Sequence, residues 1–504
     1  MDSTTAGFST VRRLAISPRA SMIALAGAAG LALRIWAYRS AVGAPDSDEA
    51  VVGLMTRHAL HGELSTFYWG QPYGGTQEVI LGVPLFAITG GGLLPLRVVP
   101  TVLYALAALL VWRVGRRTIG EPAAAVAAAL FWIWPPYTIV RVTPEFGFYA
   151  SNLFYCALLV LLALRIVERP DPVRVGVFGF VLGLAFWQSA QIIPIALPLI
   201  AWTIWRRPEA LRQVWLALPL AGLGALPWLV WNLEHDWGSL MARSTPGEYA
   251  HGLRLFASPL LPMMLGLRTP LTGQLLLPKP LMYLVYVGLL ALFVVAAVRS
   301  RRRSMFVLFA IAAAFPFIWA VSHRVTVLTS HPVFLVVLSP VLALLLASVA
   351  RTPARAAALL AVALVVTVVS LTRMDDSLRS ADPHWPPTTP RDLDPLVATL
   401  DRLGIDHVYA NYWIAYRLDF DTKERIVATE NLFRDARVRN GQVVLSYDPY
   451  VRYRPYQRKV RTAPRTGVVL FRGDVQSTPI VPVLERHGSR RHRVGPFVVL
   501  APPA

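Results

Sequence analysis

The chain has 504 residues, of which 55% are hydrophobic and 15% charged, and its formal net charge is +20. That balance excludes a soluble domain and indicates an α-helical polytopic membrane protein. The basic excess is almost all arginine flanking apolar segments, with Lys279, Lys423 and Lys459 the only lysines, so it marks membrane topology and predicts no nucleic-acid partner.

Arg12, Arg13 and Arg19 precede the first apolar segment, residues 21–38, which reads as a retained signal anchor with the N-terminus in the cytoplasm. Further clusters follow at Arg113/Arg116/Arg117, Arg165/Arg169/Arg174, Arg206/Arg207/Arg212, Arg299/Arg301/Arg302/Arg303 and Arg351/Arg355. Each span needs about 20 residues, and a pair fits between consecutive clusters. Spans are predicted at 20–39, 96–113, 120–140, 149–166, 174–189, 191–206, 213–233, 281–298, 304–321, 332–350 and 355–372. About eleven transmembrane helices starting inside leave the C-terminus outside. Merging the short fifth and sixth spans would reverse everything downstream. The lone cysteine, Cys156, lies within an apolar run and forms no intrachain disulfide.

Three outer segments are long: 40–96, 234–280 and the tail. The middle one reads as interfacial helices and loop. The composition shifts in the tail, where 373–395 is a Pro-rich linker and 396–504 a small extracytoplasmic α/β domain. Within it, "LVATLDRLG" and "NYWIAYRLDF" predict helices, and "HVYA", "RIVAT", "VVLSY", "GVVLF" and "FVVLA" predict strands. The membrane domain thus spans 1–372.

The first outer segment carries an acidic cluster, "APDSDEAVVG", with Asp46, Asp48 and Glu49 just after the first span. Asp46 and Glu49 have the spacing of a capping box, Asp46 as N-cap and Glu49 reaching back. Capping does not account for Asp48, which at a membrane surface needs a cation, water or substrate. Farther along, "FYWGQPYGGTQE" combines aromatics, amides, paired glycines and an acid. Tyr and Trp alone would be an interfacial belt. Gln71, Tyr73, Gln77 and Glu78 together suggest a sugar-facing surface, with glycines that let backbone approach a ligand.

The order of first span, "DEAVVGLMTRHALHGE" and "FYWGQPYGGTQE" resembles the GT-C superfamily of membrane glycosyltransferases. It is closest to the family-39-like bacterial branch related to protein O-mannosyltransferases and the lipid A aminoarabinose transferase. That family carries an Asp-Glu pair opening a juxtamembrane helix, matched by Asp48-Glu49. A second acid after the third span is matched by Glu145, with Arg141 nearby, although aspartate is usual there. Gln71-Pro72-Tyr73-Gly74-Gly75 stands where mannosyltransferases have a His-Pro-Pro motif, and His331-Pro332 where relatives have Arg-Tyr. Arg324 and His331 replace that arginine by position only. The resemblance covers roughly 20–372, and "ANYWIAYRLDFDTKERIVAT" in the tail is similar to the same relatives.

The resemblance implies a GT-C fold and an enzyme at the bacterial cytoplasmic membrane. It would move a sugar from a polyprenyl-phosphate donor to a glycan, lipid or protein hydroxyl on the outer face, with inversion. Its catalytic acids would be Asp48, Glu49 and Glu145, with Asp48 the general base. The leaving phosphate needs cations or hydrogen-bond donors. Arg141, Arg268, His323 and Arg324 are candidates, although Arg268 suits an interfacial anchor and Arg324 a span flank equally. A divalent cation, magnesium or manganese, bridging Asp48, Glu145 and phosphate is chemically compatible, without a metal motif to mark it. Two other classes share the sequence: a flippase of lipid-linked sugars and a non-catalytic envelope-glycan-binding protein. Transporters favour midplane charges and internal repeats; here the acids lie in outer loops and no repeat is visible.

Overall fold

The computed structural model describes residues 18–240, 245–270, 272–299, 303–322, 332–380, 390–434, 436–439, 442–445 and 451–503. It is mostly helical, and each predicted span has a helical counterpart. Five helices are long and apolar enough to cross a membrane, or seven when two bent pairs each count as one span. The other counterparts are shorter apolar helices. One bent pair, Glu121–Ile133 and Pro136–Val142, turns by 63°. Pro135 and Pro136 lack the N–H that would continue the ladder there. The fifth and sixth segments are separate helices, Pro172–Gln188 and Ile193–Arg206, because Ser189 between them is extended.

The first outer segment contains two helices. Ser47–Leu60 follows the acidic cap, and Gln77–Thr89 opens at the end of the Gly-rich loop. The last long helix, Pro353–Ser380, continues past the apolar run into the predicted linker. Its extension is anchored where Asp375 accepts a hydrogen bond from Ala41 N (2.5 Å) and pairs with Arg379 (2.8 Å).

The tail is the expected α/β unit. Strands β1 (His407–Ala410), β2 (Val427–Glu430), β3 (Ala436–Arg439), β4 (Gln442–Leu445), β5 (Gly467–Phe471), β6 (Arg490–Val494) and β7 (Phe497–Ala501) are present. Five form a sheet in the order β2-β1-β5-β7-β6, and β3 and β4 pair as a hairpin. β1 runs parallel to β2 and β5; β7 is antiparallel to β5 and β6. β5 and β7 are buried throughout, whereas β6 is a charged edge, which is why hydrophobic patterning missed it.

This domain is seated on the first outer segment. Helix Tyr412–Asp421 packs on Ser47–Leu60, with Gly53 against the Phe420 ring; a Cβ there would meet Phe420 at 2.3 Å. Arg417 is fully buried and donates to Pro45 O (2.5 Å) and Arg391 O (3.0 Å) while pairing with Asp421 (2.9 Å). Ser47 Oγ donates to Tyr412 O (2.6 Å) and Arg57 to Phe420 O (3.2 Å).

A titratable latch sits at the rim of this contact. His58 bridges Glu63 (2.7 Å) and Glu424 (2.9 Å), Arg57 approaches Glu424 at 3.7 Å, and Tyr453 and Tyr456 complete the cluster. Burial disfavours the charged ring, but hydrogen bonds and charge from Glu424 and Glu63 outweigh it and raise His58 above its ordinary value. Burial also opposes the Glu424 charge, yet His58 and Tyr456 hold that carboxyl down to about 2. The His58 contribution is therefore complete below about pH 6.5 and is lost as pH rises through the elevated folded value. The Glu424 contribution is present above its ordinary range near 4.5 and is lost as pH falls through about 2. Protease resistance of the tail is expected to decline as pH rises above about 6.5 in the native protein, and to be flat over the same rise in His58→Gln. An equal slope in both proteins would remove His58 from this role.

Candidate active site

The site is built on the N-terminus of Ser47–Leu60. Asp46 is extended, and its Oδ1 accepts from Glu49 N (3.0 Å), so the predicted cap forms. The reciprocal half of the capping box does not. Glu49 turns inward, fully buried, and both of its oxygens accept from Arg97, with Oε1 also accepting from Glu145 N (3.1 Å). A guanidinium is a stronger partner than the N-cap amide. Successive residues on a helix diverge by about 100°, so Asp48 points away from Glu49, into a cavity of about 550 Å³.

Asp46, Asp48, Arg141 and Arg452 line this cavity together with Tyr149 and Tyr412. Tyr412 Oη donates to Asp48 Oδ1 (2.5 Å), and Arg452 approaches the same oxygen at 3.9 Å. Burial and the neighbouring Asp48 charge push the Asp46 carboxyl up to about 7. Arg141 rests against the rings of Phe146 (4.2 Å) and Tyr149 (4.5 Å), and its buried Nε has no hydrogen-bond partner among the described residues. The remaining walls are apolar, including Val51, Val52, Phe334, Met374 and Leu378. The arrangement offers a carboxylate with solvent access, two cations and a hydrocarbon-like wall in one space.

A family model described as dolichyl-phosphate-mannose-protein mannosyltransferase matches residues 84–231. The fold is similar to that of ArnT from Cupriavidus metallidurans bound to undecaprenyl phosphate, at 13% identity over 95% of this chain and 98% of that one, with a TM-score of 0.61. Its apo state matches at 14% identity over 96% and 98%, with a TM-score of 0.63. The chain has a GT-C fold. An oligosaccharyltransferase from Archaeoglobus fulgidus, solved with Zn and sulfate, is similar at 14% identity over 93% of this chain and 71% of that one, with a TM-score of 0.51. No curated protein matches the chain by sequence.

Within this GT-C fold the expected site residues divide. Asp48, Arg141, Gln71 and Tyr73 line one cavity. Gln77 and Glu78, expected to face sugar, turn into the helices instead: Gln77 donates to Leu184 O (2.9 Å), and Glu78 accepts from Ser151 N (2.9 Å) and Oγ (2.5 Å). Glu145 is buried, accepts from Gly147 N (2.7 Å) and lies beside Glu78. Burial raises both of these carboxyls, Glu78 to about 7 and Glu145, with the Glu78 charge added, well above the carboxylate range. Two carboxyls buried side by side resist being ionised together. Arg268 is half-buried beside Leu275 and does not line the cavity. His323, Arg324 and His331 lie outside the described residues.

Asp48 and Glu145, expected to bridge a divalent cation with phosphate oxygens, are not brought together in this cavity. Among the described residues no group of three or more His, Cys, Asp or Glu could hold a metal, and Glu145 faces Glu78 rather than the cavity. Tyr412 and Arg452 were missed by sequence reasoning, because both come from the tail and nothing local announces their target. The crowding of tyrosine and arginine in "YDPYVRYRPY" is the only signal there.

Proposed function

We propose that the chain is a membrane glycosyltransferase moving a sugar from a polyprenyl-phosphate donor to a hydroxyl of a cell-envelope glycan, lipid or protein, with inversion at the anomeric carbon. It works at the outer face of the bacterial cytoplasmic membrane, with its N-terminus inside and its tail outside. The observation that carries this reading is the cavity, in which Asp48, Arg141 and Arg452 share one space with apolar walls. The cations suit a phosphate and the walls suit the isoprenoid units beside it. The undecaprenyl phosphate bound to ArnT supports the same donor class.

Asp48 takes the proton from the acceptor hydroxyl as that oxygen bonds to the anomeric carbon. The bond from this carbon to the phosphate oxygen breaks on the opposite face, and its electron pair leaves with the phosphate. Arg141, wedged against Phe146 and Tyr149, neutralises the departing anion.

Undecaprenyl phosphate itself is the probe. Native mass spectrometry of the detergent-solubilised protein should show the lipid bound and not displaced by UDP. Arg141→Gln should weaken binding about tenfold or more, as expected for a charge-assisted contact. Failure of the lipid to bind, or binding by Arg141→Gln equal to that of the native protein, would sink this donor assignment.

A further inference from the structure

Asp48 and the residues that hold it come from opposite ends of the chain. The hydrogen bond from Tyr412 to Asp48 Oδ1 spans 364 positions of sequence and joins the tail to the first outer segment. Tyr412 is itself fixed in several ways. Its carbonyl accepts from Ser47 Oγ (2.6 Å), and the Asn411 side chain caps its helix by accepting from Trp413 N (3.0 Å). Its ring packs edge-on against Trp413 (4.9 Å) and Tyr416 (5.5 Å). Arg452 lies with its guanidinium 5.3 Å from the Tyr412 ring. Its backbone N donates to Glu430 at the end of β2, and Gly70 packs so closely that a Cβ there would fall 2.7 Å from Arg452 Cα. Both groups act on Oδ1, and Oδ2 has no hydrogen-bond partner among the described residues.

We infer that the C-terminal domain completes the active site: Tyr412 is the positioning residue for Asp48, with Arg452 as its supporting cation, so that Oδ2 is left to take the acceptor proton. The tail is then part of the catalytic unit, and its docking on Ser47–Leu60 is a condition for turnover. This rests on the reading of Asp48 as the base.

The charged and titratable groups that face Asp48 are Asp46 ahead of its own helix, Arg141 from the bent helix pair, and Tyr412 and Arg452 from the tail. A hydrogen bond to a carboxylate favours its ionised form, and a nearby cation does the same. Removing either releases the Asp48 carboxylate from the orientation in which Oδ1 is held and Oδ2 is left for the acceptor.

Tyr412→Phe keeps the ring and removes one O–H. In the full-length protein, at a native thermal midpoint, its kcat for sugar transfer should fall about tenfold with the donor KM unchanged, the size expected for one hydrogen bond to a charged group acting in the chemical step. Arg452→Gln should lower kcat in the same way, and Arg452→Lys should restore most of it. Native kcat in both Tyr412→Phe and Arg452→Gln overturns the inference. If both lower kcat but Asp48→Asn still turns over at the native rate, the error lies in the choice of base, because the tail would still serve the site.

Discussion

Asp48→Asn is expected to lower sugar transfer about 10²–10⁴-fold, the range lost when a general base is removed, with little change in thermal midpoint or in affinity for undecaprenyl phosphate. The separation follows from geometry. The Asp48 side chain is 39% exposed, so folding does not depend on burying it. Asparagine keeps the shape and still presents an oxygen to the Tyr412 hydroxyl, whose bond to Oδ1 measures 2.5 Å. What it lacks is the capacity to accept a proton from the attacking hydroxyl. Transfer rate, melting temperature and lipid binding should be measured in the same detergent. A variant that turns over near the native rate would remove Asp48 from the chemistry. Asp46, which lines the same cavity, would then be the next carboxylate to test.

The parts of the molecule legible in its sequence are those set by local pattern. Apolar runs bounded by arginine gave the helical segments, and Gly404, with φ of 62°, ends the first helix of the tail where expected. Asp46 was legible as a cap, because the cap bond reaches only three residues along. Glu49 carries the same local signature, yet its partner, Arg97, lies on another element. Spacing cannot encode a contact that only tertiary packing creates. Glu78 and Gln77 show the same limit. Their residue types suit a sugar, but helix Gln77–Thr89 begins where both side chains point toward Ser151, Tyr155 and Leu184. Asp48, Gln71, Tyr73 and Arg141 were therefore visible as candidates among the groups lining the cavity, while Tyr412 and Arg452 became visible only when the tail was seen to dock.

The Glu49–Arg97 pair should dominate stability as Asp48 dominates rate. Glu49 is fully buried and Arg97 is 4% exposed. The only other hydrogen bond of the Arg97 guanidinium among the described residues is to Gly43 O (3.1 Å). Removing one member of a buried pair costs about 3–5 kcal/mol, because the remaining charge keeps its desolvation penalty without its partner. Glu49 also accepts from Glu145 N, so its loss loosens the segment that carries Arg141 and Glu145. Glu49→Ala is therefore expected to lower the thermal midpoint sharply and to reduce the yield of folded protein. The double variant Glu49→Leu, Arg97→Met should recover much of it, since a buried ion pair replaced by apolar groups of similar volume is often neutral. Whatever fraction of Glu49→Gln folds should keep substantial turnover, because the Glu49 carboxylate does not line the cavity. Thermal midpoint and transfer per folded molecule separate the two roles. A fully folded Glu49→Gln without activity would return Glu49 to the catalytic set, and a Glu49→Ala as stable as the native protein would show that Arg97 finds its compensation elsewhere.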